Sequence, residues 1–383
     1  MINTFYWCPF ISEVATVRST INSIRSFKKY SNKSVNPSII NVAGEWNPKV
    51  KILEEYDVNI IDLKNKNLIE RLPKLGFFKS RLTYLIIFFF SVAKLHKLLK
   101  KDKPDYLIIH LISSIPLILL FFFNYKTKFV LRISGYPKLN FLRTFFWRSL
   151  KNKIFLITCP TKLTIDLLNK KKIFNQEKIY YLPDPILEIN KIEIQKKQKE
   201  NLEEKLSLKN SILSIGRLTE QKNFNFLINV FNKINKIYPH LNLFIIGDGE
   251  QKKFLKKKII DLKLENKVFL TGYKKNVFNY LVNSKLFILT SNYEDPGFVF
   301  IEAGFLNKTV ISSDCPNGPV EIIGKNNGYL FKKNSIDDFI KVFNNYYTDT
   351  EENIFTKKLN LKKKCKEFTM FHHYLKFKNI LYK

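Results

Sequence analysis

The feature that most constrains this chain is a rhythm: short apolar runs alternate with longer amphipathic stretches almost from end to end. Apolar runs bounded by turn residues read as buried strands, and the stretches between them as crossover helices. The pattern predicts βαβ units and parallel sheets. In the first half, strands are expected at residues 4–7, 38–42, 59–63, 106–111, 129–133, 154–158 and 178–182, with helices such as 14–27 and 138–150 between them. In the second half, strands are expected at 211–215, 241–246, 267–270, 285–289, 309–312 and 328–331, with a helix over 223–238.

The rhythm breaks once. Pro183-Asp184-Pro185 closes the first series, and residues 188–210 form a polar run dense in Lys, Glu and Gln. At 383 residues the chain is long enough for two domains. The expected division is an N-terminal domain over 1–186, a linker over 187–210, a C-terminal domain over 211–355, and a basic helical tail over 356–383 that returns to the first domain. The fold class is α/β, with two doubly wound Rossmann-like domains facing a cleft. A ligand then belongs near the carboxyl ends of the strands.

Composition excludes several other classes. With 45% hydrophobic residues, wholesale disorder is ruled out. Cys8, Cys159, Cys315 and Cys365 form no CxxC pair and no metal-ligand spacing, so free buried thiols are expected rather than a disulfide scaffold or zinc site. The first residues, Met1-Ile2-Asn3-Thr4-Phe5-Tyr6-Trp7, read as a strand rather than a signal peptide. Two apolar stretches, 82–99 and 106–123, fall short of a membrane span or carry breaks at Lys94, His96, Lys97 and Pro116, and are expected in the core, with a place in a membrane interface as the second reading for the apolar helix that starts near Pro116.

The formal charge is +32, from 65 basic and 33 acidic residues. Such a field attracts nucleic acid, an anionic leaflet or phosphate-rich substrates. A basic nucleic-acid-binding protein without enzymatic activity is therefore the second reading. Against it, the cations are dispersed and form no recognised nucleic-acid motif.

Three segments carry chemistry. In Ser291-Asn292-Tyr293-Glu294-Asp295-Pro296-Gly297-Phe298-Val299-Phe300-Ile301-Glu302, a strand ends, a turn follows, and a helix opens at Pro296-Gly297. A helix N-terminus holds anions. On spacing alone, Glu294 and Glu302 read first as a capping acid and an ordinary surface Glu. Gly216-Arg217-Leu218 followed by Gln221-Lys222-Asn223 puts two cations at the end of a strand, suited to a diphosphate. Ser313-Asp314-Cys315-Pro316-Asn317-Gly318-Pro319-Val320-Glu321 is a turn-rich loop leading into another helix.

In this order, and with Ile246-Gly247-Asp248-Gly249, Leu270-Thr271-Gly272-Tyr273 and Gly328-Tyr329-Leu330 between and after them, these segments resemble the retaining GT-B glycosyltransferases of family 4, also called group 1 glycosyltransferases. The resemblance runs over residues 211–331, and Leu182-Pro183-Asp184-Pro185 looks like the family's domain crossover. It implies that Arg217 and Lys222 bind the donor diphosphate and stabilise the departing nucleotide. Glu302 would hold the ribose hydroxyls and Glu294 the transferred sugar. Backbone N–H groups of Gly297, Phe298 and Val299 would face the donor, and Gly216 and Gly272-Tyr273 would line its site. No metal or other cofactor is implied.

The implied reaction moves a hexose or N-acetylhexosamine, UDP-linked, to a glycan acceptor such as a lipid-linked oligosaccharide, lipopolysaccharide or capsule precursor. The basic first half, residues 82–99 and the Phe- and Lys-rich stretch 141–153 point to a cytoplasmic chain resting peripherally on an anionic membrane surface, without a span. The chain departs from the family pattern in two places. The turn after the first strand, Trp7-Cys8-Pro9-Phe10-Ile11-Ser12, lacks glycine. After the fifth strand the usual His is replaced by Ser134, while His110 ends the strand before it.

Overall fold

The computed structural model describes residues 1–11, 14–63, 68–72, 77–198 and 208–382. It divides into two compact units, Met1–Ile186 with Met370–Lys383, and Leu187–Thr369.

The first unit holds strands β1 (Ile2–Trp7), β2 (Val35–Asn41), β3 (Asn59–Asp62), β4 (Tyr106–Ile109), β5 (Lys128–Arg132), β6 (Leu156–Cys159) and β7 (Ile179–Tyr181). They form one parallel sheet in the order β3-β2-β1-β4-β5-β6-β7. Successive strand residues point to opposite faces, so a sheet covered on both sides needs apolar residues at every position. Trp7, Leu107, Ile109 and Leu131 belong to one core with Ile87, Leu95 and Leu99 of the helix Phe77–Asp102. Tyr6, Ile39, Ile108 and Val130 belong to the other, with Ile24 and Phe27 of the helix Ala15–Tyr30.

The second unit holds β8 (Ser211–Ile215), β9 (Asn242–Ile246), β10 (Val268–Gly272), β11 (Leu286–Leu289), β12 (Thr309–Ser313) and β13 (Tyr329–Phe331). Their order is β10-β9-β8-β11-β12-β13, again all parallel. Ile212, Leu243, Leu286 and Ile288 pack with Leu227, Phe231 and Ile234 from the helix Phe224–Ile237. In each sheet the chain starts in the middle, winds one way, then crosses back to wind the other, which creates a switch point between the first and fourth strands.

Four expectations need correction. Residues 187–210 are not a free linker: Ile189–Gln195 is a helix of the second unit, and Asn276 donates to Gln195 O (2.8 Å) and Gln198 Oε1 (3.0 Å). Residues 199–207 of that expected linker lie outside the described residues. The expected boundary at 355 falls inside the helix Glu351–Cys365, whose N-cap Thr350 accepts from Asn353 N, so the second unit runs on to Thr369. The tail is two helices rather than one. The second, Met370–Leu381, belongs to the first unit, where Tyr374 and Phe377 lie 5.6 and 5.5 Å from the Phe27 ring.

The last correction concerns the stretch at 82–99. Lys94, His96 and Lys97 do not break it, because all three are tolerated in a helix. Leu82–Asp102 is long and apolar enough, by length and composition, to cross a membrane. Its Ile87, Leu95 and Leu99 are nevertheless buried against the sheet. The stretch at 106–123 divides into β4 and the helix Ser114–Phe122. All four cysteines are buried, and none of them is in a disulfide.

Candidate active site

The residues that the sequence singles out follow strands of the second sheet at their carboxyl ends. β8 and β11 are adjacent at the switch point; Gly216 to Lys222 follow β8, and Ser291 to Glu294 follow β11. The two loops are laced together. Asn292 N donates to Gln221 O (2.8 Å), Gln221 Nε2 donates to Tyr293 O (3.1 Å), and the Thr290 hydroxyl lies 3.1 Å from Lys222 O.

This lacing brings Lys222 and Glu294 together. The ammonium lies 2.5 Å from Glu294 Oε1, with the two side chains 14% and 6% exposed. The Ser291 hydroxyl donates to the same oxygen at 2.6 Å. Gly216 makes room for this lysine: a Cβ there would sit 3.1 Å from the Lys222 side-chain carbons. The Gly247-Asp248-Gly249 turn braces the first loop from β9, with Leu218 N donating to Asp248 O at 2.9 Å and Gly216 N to Ile246 O at 3.0 Å.

Gly297 is the N-cap of the helix Phe298–Phe305, with φ of 97°. That is the left-handed region, where only glycine is unstrained. A Cβ would also meet the Phe300 ring at 2.5 Å. Its N-cap residue has no side chain with which to cap it, and a helix N-terminus carries a partial positive charge. Glu302 lies on this helix and is buried; Phe298 and Val299 are half-buried.

Other predicted residues are placed without a contact to the pair. Arg217 is exposed; its carbonyl accepts from Thr219 N (2.8 Å), and its guanidinium enters no hydrogen bond or ion pair among the described residues. Gly272, with φ of 75°, ends β10, and Tyr273 after it is exposed.

Sequence reasoning passed over one group here. Asn317 follows β12 and pairs as an isolated parallel bridge with Glu294. It is 2% exposed, and its Nδ2 has no hydrogen-bond partner among the described residues. A buried amide donor without an acceptor costs free energy. Its signal in the sequence was an Asn before Gly-Pro in the turn-rich loop. Cys315 in the same loop is inert, because burial pushes its thiol up to about 12, with Glu294 adding to the rise.

In the first unit, His110 follows β4 with its ring stacked 6.1 Å from Tyr6, and neither ring nitrogen has a partner among the described residues. The Ser134 hydroxyl also lacks a partner there. Burial, helped by the Arg132 charge, lowers His110 to about 3, so it is neutral. Arg132 turns inward instead: it donates to Asp184 Oδ1 (2.7 Å) and Leu182 O (2.7 Å), while the Ser19 hydroxyl donates to the same Asp184 oxygen (2.6 Å). Burial pushes the Asp184 carboxyl up, but Arg132 and these hydrogen bonds outweigh it and hold it below the ordinary range. The Pro183-Asp184-Pro185 motif is thus locked by an ion pair that the sequence did not reveal. Ser12 of the first turn lies outside the described residues.

Comparison with known proteins gives the family. The family profile "Glycosyl transferases group 1" matches residues 193–367, which includes both loops of the Lys222–Glu294 pair. The UDP-Gal:alpha-D-GlcNAc-diphosphoundecaprenol alpha-1,3-galactosyltransferase of Escherichia coli is 30% identical over 79% of this chain and 83% of its own length. The chain belongs to the group 1 glycosyl transferases. An uncharacterised glycosyltransferase of Methanocaldococcus jannaschii is 36% identical, over 60% of this chain; the match spans 60% of that relative's own length. The crystal structure of Anabaena Alr3699/HepE in complex with UDP superposes over the full length of both chains with a TM-score of 0.75 at 17% identity, a likeness of fold. This glycosyltransferase therefore has the two-domain α/β fold expected from its sequence, and the reading as a nucleic-acid-binding protein without enzymatic activity is set aside.

Proposed function

We propose that this glycosyltransferase moves a hexose or N-acetylhexosamine from a UDP-sugar to a lipid-linked glycan acceptor, such as a lipopolysaccharide or capsule precursor, with retention of configuration. The observation that carries the reading is the Lys222–Glu294 pair at the switch point, with Asn317, whose Nδ2 has no partner among the described residues, on the strand bridge beside it.

The chemistry follows from charge. When the bond between sugar and diphosphate breaks, negative charge grows on the leaving oxygen. Cations and a helix N-terminus fixed around that oxygen lower the barrier, because they need not reorganise as the charge appears. In this reading Arg217 and Lys222 carry that task, with the N-terminus of the helix Phe298–Phe305, and no metal is called on. An arriving diphosphate competes with Glu294 for the Lys222 ammonium and turns the carboxylate toward the sugar hydroxyls. Glu302 takes the ribose hydroxyls, and the Gly272-Tyr273 turn lies against the base.

Retention and the acceptor class are supported by the Escherichia coli relative, whose name gives a UDP-Gal donor, an alpha-1,3 product and a diphosphoundecaprenol acceptor. An ordinary UDP-hexose carries its sugar α-linked, so an α product means retained configuration. A membrane-borne acceptor fits a peripheral, cytoplasmic enzyme on an anionic surface, in keeping with the net charge of +32.

The test is a panel of UDP-sugars offered to the purified chain with a synthetic diphospholipid-linked N-acetylhexosamine. Proton NMR of the product reads the anomer. An α-linked product is expected; a β-linked one overturns retention, and failure of every UDP-sugar to bind by calorimetry overturns the donor assignment.

A further inference from the structure

Three helices of the first unit leave large apolar side chains facing water on one connected surface. On Phe77–Asp102, Leu85, Phe89 and Phe90 are exposed, Phe89 at 72%. The helix Ser114–Phe122 ends at Phe121 and Phe122, and Phe123 follows; all three are exposed. The helix Phe141–Ser149 begins with Phe141 and Leu142, 82% and 75% exposed. Contacts join them. The Phe123 ring lies 4.3 Å from His96 of the first helix, and the Phe121 ring 6.2 Å from Phe146 of the third. Lys153 Nζ donates to the carbonyls of Leu120 and Phe121 at 3.1 and 2.9 Å. Scattered exposed apolar residues are ordinary, but a contiguous group of this size marks an interaction surface.

Charge identifies the partner. From residue 77 to 153 the sequence holds fifteen basic residues and two acidic ones, Asp102 and Asp105. Lys97, Lys126, Arg143 and Lys151 are exposed among the aromatics. A second copy of this chain would bring the same positive charge against itself. An anionic bilayer complements both features, with aromatic rings at the boundary between headgroups and acyl chains and Lys and Arg on lipid phosphates.

We propose that this three-helix face docks the enzyme on an anionic bilayer and lies in its interface without crossing it. Crossing would require Leu82–Asp102 to leave the sheet, where Ile87, Leu95 and Leu99 are in the core. The proposal gives a place to the membrane-borne acceptor of the preceding reading, yet its test reads vesicle binding and not transfer, so either can fail alone.

The full chain is floated with phosphatidylcholine vesicles with and without phosphatidylglycerol, at low and high salt. Flotation with the anionic vesicles at low salt is expected, and release by high salt or alkaline carbonate. The triple variant Phe89→Ser, Phe122→Ser, Phe141→Ser changes only exposed side chains. It is expected to keep its melting temperature and its UDP-sugar binding while its bound fraction falls about tenfold or more. Three results overturn the proposal: wild-type chain that does not float with anionic vesicles at low salt; a triple variant that floats like wild type; and, in sedimentation, a wild-type dimer that the variant converts to monomer without change in flotation.

Discussion

Lys222 and Glu294 stand 72 residues apart in the sequence and 2.5 Å apart in the fold. Both are mostly buried, and a buried pair costs most when one partner is removed alone. Lys222→Ala leaves the Glu294 carboxylate with Ser291 as its donor and is expected to destabilise the chain by about 3 kcal/mol. The double variant Lys222→Met with Glu294→Gln removes both charges and is expected to recover most of that loss. Transfer activity should fall about 100-fold or more in both. Urea unfolding and initial-rate assays on the two variants check this: recovery of activity along with stability would place the pair in the scaffold and not in the chemistry.

Gly297→Ala tests how the helix start is held. The substitution meets strain twice, from the positive φ and from the Phe300 ring. A cost of about 1–3 kcal/mol is expected, with weaker UDP binding because the helix N-terminus must shift. Calorimetric titration with UDP alongside thermal melting reads both effects. An unchanged UDP affinity would mean that this N-terminus does not face the diphosphate.

Acid should loosen the first unit through two histidines. Burial is the main cause that lowers His110 to about 3 and His373 to about 4, each helped by the Arg132 charge. The Nδ1 of His373 donates to Pro183 O (2.7 Å), which works against that lowering without outweighing it, and in the neutral ring Nε2 accepts from the Ser23 hydroxyl (2.9 Å). The unfolded chain binds protons on these rings below about pH 6.5, whereas the folded chain does not. Stability from both rings is therefore full above about pH 6.5 and falls as pH drops toward the folded values, by up to about 1.4 kcal/mol per histidine per pH unit. Melting temperatures measured between about pH 7.5 and 5 read this slope. His110→Phe, which keeps a ring against Tyr6, should flatten it; an unaltered slope would contradict the assignment.

Much of this was legible in the sequence, because the signals were local. Strand runs such as residues 211–215 lie within one βα unit, and their burial pattern is written in consecutive residues. Lys222 and Glu294 were each singled out from the motif around them, and the structure brings the two together. What could not be read was partnership. Nothing local in Arg132 or Asp184 announces their pairing, since it depends on β5 ending beside the segment after β7. The tail misled for a related reason. Lys-rich helical residues run through 356–383 without a proline or glycine, and the break at Lys366–Phe368 comes from packing on different units. The expected linker failed because a polar composition does not exclude a helix whose carboxyl end is held by Asn276.

Asn317 carries the sharpest prediction, because stability and function should move in opposite directions. Its backbone sits at φ 75° and ψ −108°, a strained region for any residue with a side chain. Its buried Nδ2 lacks a partner among the described residues, which adds a desolvation penalty to the strain. Asn317→Gly removes both, so the variant should melt several degrees higher than wild type, as expected for a gain of about 1–2 kcal/mol. If the amide is kept to meet a donor oxygen beside Glu294, the same variant should bind UDP or UDP-sugar about tenfold more weakly. Thermal melting and calorimetric titration on one preparation measure both quantities. A variant that gains stability without losing affinity would make Asn317 a strained turn residue and nothing more. One that loses both would show that the side chain holds the loop itself.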